Sequence, residues 1–390
     1  MSRLRTALTA LTLTATSATA AALAVPQAQA ATAVYVSTSG SDSNAGTSAA
    51  PYHSLEKAFS VAAPGTTIYV RGGTYYPATT LKSQVSGTSS SRITLTTYGS
   101  EKVKVDGSHL APGSWLLAIY ANYWTVSNMQ FQKSPAQGVV CTSCTGGVFQ
   151  NLTINDNGDS GFTLRGDNTV NNLVKNLDSY NNYDPAGHGQ NADGVAVKFG
   201  SGSGNLITGA RLYNNSDDGI DLWSFASPVT IEHTWAFGNG YNRWGDTAFQ
   251  GNGNGFKLGG GSSGAIPAVA HVVNNSAAWN DKGNGFTENG NKGAIAVNRT
   301  TAYANGEWGY YFATGTARLG KNLAVNNSSG KATKSSSVVS QGNNWDPGTA
   351  TPPFVSTDAT TTYDARRSDG SLPATTFLTT GSDTIGSTMN

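Results

Sequence analysis

The chain has 390 residues and nearly balanced charge, 24 Lys+Arg against 23 Asp+Glu, for a formal net charge of +1. Arg3 and Arg5 fall in a leader, and losing them takes that charge to −1, so nucleic-acid binding has no electrostatic support. An acidic ligand must be held by a local positive patch or through metal ions.

Residues 1–30 read as a secretory leader. Arg3 and Arg5 form its positive start, Ala7 to Val25 its apolar stretch, and Ala28-Gln29-Ala30 a small-residue cleavage site. An extracellular protein is expected. No later segment approaches the ~18 apolar residues a membrane span needs, so no membrane partner is expected. Next, Ser54–Ala63 has the pattern of a short amphipathic helix with Ser54 as N-cap and Pro64-Gly65 as its stop. It precedes a strand at Thr67–Arg71 and would cap the open end of a core. Cys141 and Cys144 are the only cysteines. In a secreted chain they read as a local disulfide across one turn, with two free thiols as the alternative.

From about Trp124 one module recurs: a short β run, a few polar residues, a second β run, then Asn or Asp and a Gly-rich turn. Asn157, Asn182, Asn215, Asn239, Asp281, Asn305 and Asn327 mark it, at steps of 25, 33, 24, 42, 24 and 22 residues. A base period in the low twenties with occasional insertions predicts a parallel β-solenoid. The recurring Asn would stack as an amide ladder. The two long steps place insertions at Tyr183–Asn191 and Tyr241–Asn252, and long loops usually carry function. The solenoid is expected over 31–345. A Pro/Thr/Ser-rich tail over 346–390, bearing Phe354, Tyr363, Leu372, Phe377 and Leu378, is expected to pack on it.

Asp217-Asp218-Gly219-Ile220-Asp221 follows a ladder Asn, and Asp193 holds the matching place one coil earlier. Stacked coils lie about 4.8 Å apart, so these carboxylates converge. Their mutual repulsion, about 4 kcal/mol per pair at 4 Å and an effective dielectric near 20, calls for cations, and Ca²⁺ is the hard ion that oxygen ligands suit. Lys257, between Phe256 and Leu258, falls on the matching strand of the following coil. Burial and a nearby calcium would both push its pKa down and make it a base. The bland alternatives are solvated turn aspartates and a structural ion pair. Lys198 is the second choice, as base or substrate clamp. Arg211, Arg243, Lys282 and Arg299 are candidate sugar contacts by charge alone, with Arg243 preferred.

Asn191-Ala-Asp-Gly194, Asn215-Ser-Asp-Asp-Gly-Ile-Asp-Leu-Trp223, Trp235-Ala-Phe-Gly-Asn-Gly240 and Gly253-Asn-Gly-Phe-Lys-Leu-Gly-Gly260 closely resemble polysaccharide lyase family 9 pectate lyases. The likeness extends to Gly40-Ser-Asp-Ser-Asn-Ala-Gly46, Tyr69-Val-Arg-Gly-Gly-Thr-Tyr75 and Arg367-Ser-Asp-Gly-Ser-Leu-Pro373. The resemblance implies an all-β, right-handed parallel β-helix with an asparagine ladder, acting as a monomer on polygalacturonate. It implies calcium on Asp193, Asp217, Asp218 and Asp221, and Lys257 as the base of a β-elimination that yields 4,5-unsaturated oligogalacturonides. Two rivals remain. A β-helical polygalacturonase would use Asp193, Asp217 and Asp218 as acid and base without metal, although Gly187-His188-Gly189 here precedes the paired aspartates instead of following them. A non-catalytic glycan-binding solenoid would keep calcium as a structural ion.

Overall fold

The computed structural model describes residues 32–390 apart from Gln84, Ser263, Gly264 and Asp383. The expected leader lies outside the described residues. Short strands stack into three parallel sheets of twelve, ten and ten strands, and each sheet takes every third strand of most coils. Thr153–Asn155, for example, pairs with Asp178–Tyr180, which pairs with Arg211–Tyr213, which pairs with Trp235–Phe237. Inward side chains of successive coils stack on like neighbours: Phe256 on Phe286 at 4.6 Å and Phe286 on Tyr310 at 5.1 Å between ring centroids. The helix Leu55–Val61 closes one end, its Ser54 side chain accepting from Lys57 N. Leu55, Ala58 and Phe59 are buried, with the Phe59 ring 5.2 Å from that of Trp124. Cys141 and Cys144 form a disulfide.

The asparagine ladder forms as the spacing predicts. Asn157 donates to Asn182 at 2.9 Å, Asn182 to Asn215 at 2.8 Å, Asn215 to Asn239 at 3.0 Å, and Asn305 to Asn327 at 2.8 Å. Each rung follows a residue with positive φ, including Asn181, Asn214, Asn280 and Asn326. Asparagine tolerates that left-handed conformation best among residues with a Cβ, which explains the repeated Asn-Asn pairs. The first turns the chain and the second makes the rung.

The insertions differ from the expectation in one respect. The 42-residue step from Asn239 to Asp281 does not lie wholly at 241–252. A second excursion separates the strand Phe256–Lys257 from Val272–Asn274. Beyond the coils, the tail covers the outer face of the ten-stranded sheet that holds Arg211–Tyr213 and Trp235–Phe237. There Tyr180, Tyr213, Phe237 and Trp279 stack in a row, and Leu372, Phe377, Leu378 and Met389 bury it. Arg211 is therefore a tail anchor and no sugar contact. It is buried, pairs with Asp178 at 2.7 Å, and donates to the Thr362 and Asp364 carbonyls.

One rung departs from amide chemistry. Asp281 is fully buried, and its Oδ1 accepts from both the backbone and the side-chain nitrogen of Asn239, each at 2.9 Å. Its Oδ2, in the place of an amide nitrogen, has no partner among the described residues. Burial pushes the carboxyl well above its ordinary value, so the neutral acid fits the ladder. Ionisation therefore costs stability as pH climbs from the usual carboxylate range, ~3.9, through the raised folded value. Asp281→Asn should stabilise the protein by about 1–3 kcal/mol, with a gain that grows as pH rises from 4. Thermal unfolding across pH checks this, and a pH-independent difference would contradict it.

Candidate active site

The strands Val195–Gly200, Ile220–Asp221 and Phe256–Lys257 lie side by side in the second ten-stranded sheet, the site sheet. Pairing Ala196 with Asp221 and Asp221 with Lys257 puts these three on one outward row. Asp193 and Asp218 stand two residues before their strands, each followed by a glycine. Glycine is needed there. A Cβ on Gly194 or Gly219 would lie 2.7 or 2.6 Å from the carbonyl oxygen of the adjoining coil.

The residue before that glycine forms a second column of side-chain acceptors. Asp193 N donates to Ser160 Oγ at 3.1 Å, Asp218 N to Asp193 Oδ1 at 3.3 Å, Asn254 N to Asp218 Oδ1 at 2.7 Å and Asn284 N to Asn254 Oδ1 at 3.0 Å. The acidic cluster is thus a ladder in which two successive rungs carry carboxylates. The recurring x-Gly before each strand is its sequence signal, and Ser160, Asn254 and Asn284 were missed by attending to charge alone.

Two lysines interleave with the acids. Lys198 Nζ lies 2.7 Å from Asp193 Oδ2 and 2.8 Å from Asp221 Oδ2. Lys257 Nζ lies 3.0 Å from Asp218 Oδ2 and 3.2 Å from Asp221 Oδ2. Burial opposes charge on Asp221, but Lys198 and Lys257 outweigh it and hold its carboxyl below the usual range. Burial, only partly opposed by Lys198, pushes Asp193 up to about 7. Burial together with the charges of Asp218 and Asp193 raises Asp217 well above its ordinary value. Without an ion in the cluster, burial works against the Lys257 ammonium, but Asp218 and Asp221 outweigh it and raise its pKa.

Asp193, Asp218 and Asp221 each offer an oxygen, all within 4.8 Å of one another. Asp221 Oδ1 is buried with no partner among the described residues. An oxygen-only donor set with an orphaned oxygen fits a hard cation such as Ca²⁺. Asp217 stands slightly apart, accepting from Asn252 N at 3.0 Å. A cleft of about 650 Å³ opens beside Lys257, lined in part by Trp223, Asn254, Thr287, Glu307 and Tyr311. The Trp223 ring lies 5.4 Å from Lys257 Nζ. Arg243 is not brought to this cleft; it stacks on Tyr241 at 5.6 Å. Lys282 donates to the Gly251 carbonyl at 2.7 Å.

A parallel coil whose outer face carries a buried carboxylate–lysine cluster beside an open cleft is a β-helix protein with a cation-competent polar centre. Residues 34–334 match the family described as Pel9A-like, right handed beta helix region, and the chain belongs to that family. This bears out the resemblance and the right-handed parallel β-helix. The chain is 38% identical to pectate lyase PEL9 of Emericella nidulans over 86% of its own length and 89% of the relative's. Two solved structures are also similar, each with a TM-score of 0.80. Pectate lyase Pel9A is 31% identical, covering 90% of this chain and 89% of that one. A rhamnogalacturonan lyase is 26% identical, covering 91% and 99%.

Lys198 neutralises two buried acids, so Lys198→Met should cost about 3–5 kcal/mol in chelator. Added Ca²⁺ should recover much of that loss. Thermal unfolding with and without calcium measures both, and equal loss under the two conditions would mean that no cation enters the cluster.

Proposed function

We propose that this enzyme is a secreted, calcium-dependent pectate lyase that cleaves 1,4-linked galacturonan by β-elimination, with Lys257 as the base. The observation that carries the reading is a lysine at the wall of an open cleft, 3.0 and 3.2 Å from two carboxylates of an oxygen-only cluster. Relatives named pectate lyase, each matched over 86% of this chain, support the substrate class. Asp193, Asp217, Asp218 and Asp221 would hold calcium, which when bound supplies positive charge that binds a uronate carboxylate and acidifies the adjacent C5 proton.

Lys257 is then the group that moves the proton. Its neutral Nζ takes hydrogen from C5, the released electron pair forms the C4–C5 double bond, and the C4–O bond breaks. The leaving oxygen is protonated by solvent, and no water adds across the product. Trp223 and Tyr311 give the cleft flat faces for sugar rings. Among the described residues no helix is long and apolar enough to cross a membrane, and the reading as a secreted protein rests on the leader pattern in the sequence of residues 1–30.

Purified protein on polygalacturonate should give a rise in ultraviolet absorbance from the unsaturated product, dependent on calcium and abolished by chelator. Lys257→Ala should lower the rate by about 10²–10⁴-fold while remaining folded by thermal unfolding. Because the surrounding carboxylates hold the Lys257 ammonium protonated, the rate should climb toward alkaline pH. New reducing ends that survive chelation, without the absorbance, would instead mean hydrolysis. Activity confined to rhamnogalacturonan would move the substrate to that of the second structural relative.

A further inference from the structure

On the side of the acidic cluster toward the capping helix, the site sheet continues for four more strands. One row runs Thr163, Ala196, Asp221, Lys257 in direct register. Two residues further along the strands, and so on the same face, Arg165 pairs in register with Thr142 on one side and Lys198 on the other. The Arg165 guanidinium lies 5.7 Å from the Trp115 ring and 5.9 Å from the Phe199 ring. Phe199 is 55% exposed. Among the described residues Arg165 meets no carboxylate, unlike Arg211, Arg366, Lys198 and Lys257, which are all paired.

A second observation singles out the same place. Thr163 is 6% exposed, and among the described residues neither its hydroxyl nor the buried hydroxyl of Thr142 has a hydrogen-bond partner. Buried hydroxyls are normally satisfied, and each exception calls for an explanation. Here two of them stand beside an uncompensated guanidinium framed by aromatic rings. The chemistry is that of a uronic acid site: a planar fork for a carboxylate, ring faces for the apolar side of a pyranose, and threonine hydroxyls, closed to solvent here, that a χ1 rotation would turn toward sugar hydroxyls.

We propose that Arg165, with Thr142 and Thr163 and between Trp115 and Phe199, forms a distal subsite that binds a uronate residue of the same chain that is cleaved at Lys257. Ala196, with only a methyl group, keeps the floor low between the two places. Three coil steps separate the strand of Arg165 from that of Lys257, about 14 Å at ~4.8 Å per coil. Each step is close to the length of one sugar unit, so only a chain of several residues reaches both. The inference rests on the proposed lyase reading for its substrate class.

The test compares tri- and hexagalacturonate on wild type, Arg165→Ala, Arg165→Lys and Thr163→Val, with thermal midpoints measured alongside. Arg165→Ala should raise KM for the hexamer roughly 10- to 100-fold at nearly unchanged kcat. It should leave the trimer untouched, because a trimer cleaved at Lys257 does not reach Arg165. Arg165→Lys should fall between, keeping charge but losing the fork. Thr163→Val should shift the hexamer KM in the same direction by less. Equal losses on both lengths, or none on the hexamer, would overturn the subsite while leaving the lyase reading intact. If wild type forms no unsaturated product, that reading fails, and calorimetric titration with hexagalacturonate decides the subsite alone. Binding weakened in Arg165→Ala upholds it, and equal or absent binding removes it.

Discussion

At successive turns into the site sheet around the cluster a backbone N–H must find an acceptor, and the neighbouring coil supplies it from a side chain. Buried backbone donors left unpaired cost on the order of 1–3 kcal/mol each, and a stack of coils repeats that demand at every rung. Two columns meet it here. One is the asparagine ladder, and the other runs through Ser160, Asp193, Asp218, Asn254 and Asn284. In the second column an amide and a carboxylate accept equally well. The fold therefore tolerates aspartate at rungs 193 and 218, and the backbone donor that each carboxylate accepts helps fix its orientation. A reactive cluster arises from exchanging one acceptor for another within a structural device.

That exchange has an electrostatic consequence. Several buried carboxylates repel one another by a few kcal/mol per pair, and the chain meets this with Lys198 and Lys257 placed alternately between them. Asp221 serves both ammonium groups through one oxygen, and its other oxygen has no partner among the described residues. Without a further cation the lysines are counter-ions first, and their charged forms are favoured. A divalent ion in the cluster would take over part of that role and release Lys257 toward neutrality. Cation binding and base strength are coupled through the same carboxylates.

Much of this was legible because stacking turns sequence spacing into spatial columns. The steps from Asn157 to Asn327 are the ladder itself, and the matching places of Asp193, Asp218, Asp221 and Lys257 fixed their convergence. What escaped was decided by contacts across distant parts of the chain. Arg211 reads as a free cation until the tail folds back and places the Thr362 and Asp364 carbonyls on it. The raised pKa of Lys257 in the ion-free cluster depends on how many carboxylates surround it, a sum that only the folded contacts supply. The 42-residue step shows only its total, so its division between two turns could not be read from rung spacing. Trp223, directly after Leu222 in a recognised motif, was noted for likeness and not for its place over Lys257.

The two insertions are tied to each other and, through Asn252, to Asp217. Tyr183 and His188 of the first loop both bond Asp246 Oδ2 of the second, at 2.7 and 3.0 Å, and Tyr183 stacks on Trp244 at 4.7 Å. Gln250 N donates to the His188 carbonyl at 2.7 Å, and two residues later Asn252 N donates to Asp217 Oδ1. The wall these loops build thus stands on the one aspartate that lies outside the closest carboxylate group. If Asp217 turns its oxygens toward a bound cation, the Asn252 bond must adjust, and the interlocked loops must move with it or hold Asp217 back. Because Asp246 gathers both loops into one unit, the second outcome costs several contacts at once to avoid. The loops, joined through Asp246, would then brace Asp217 through the Asn252 bond.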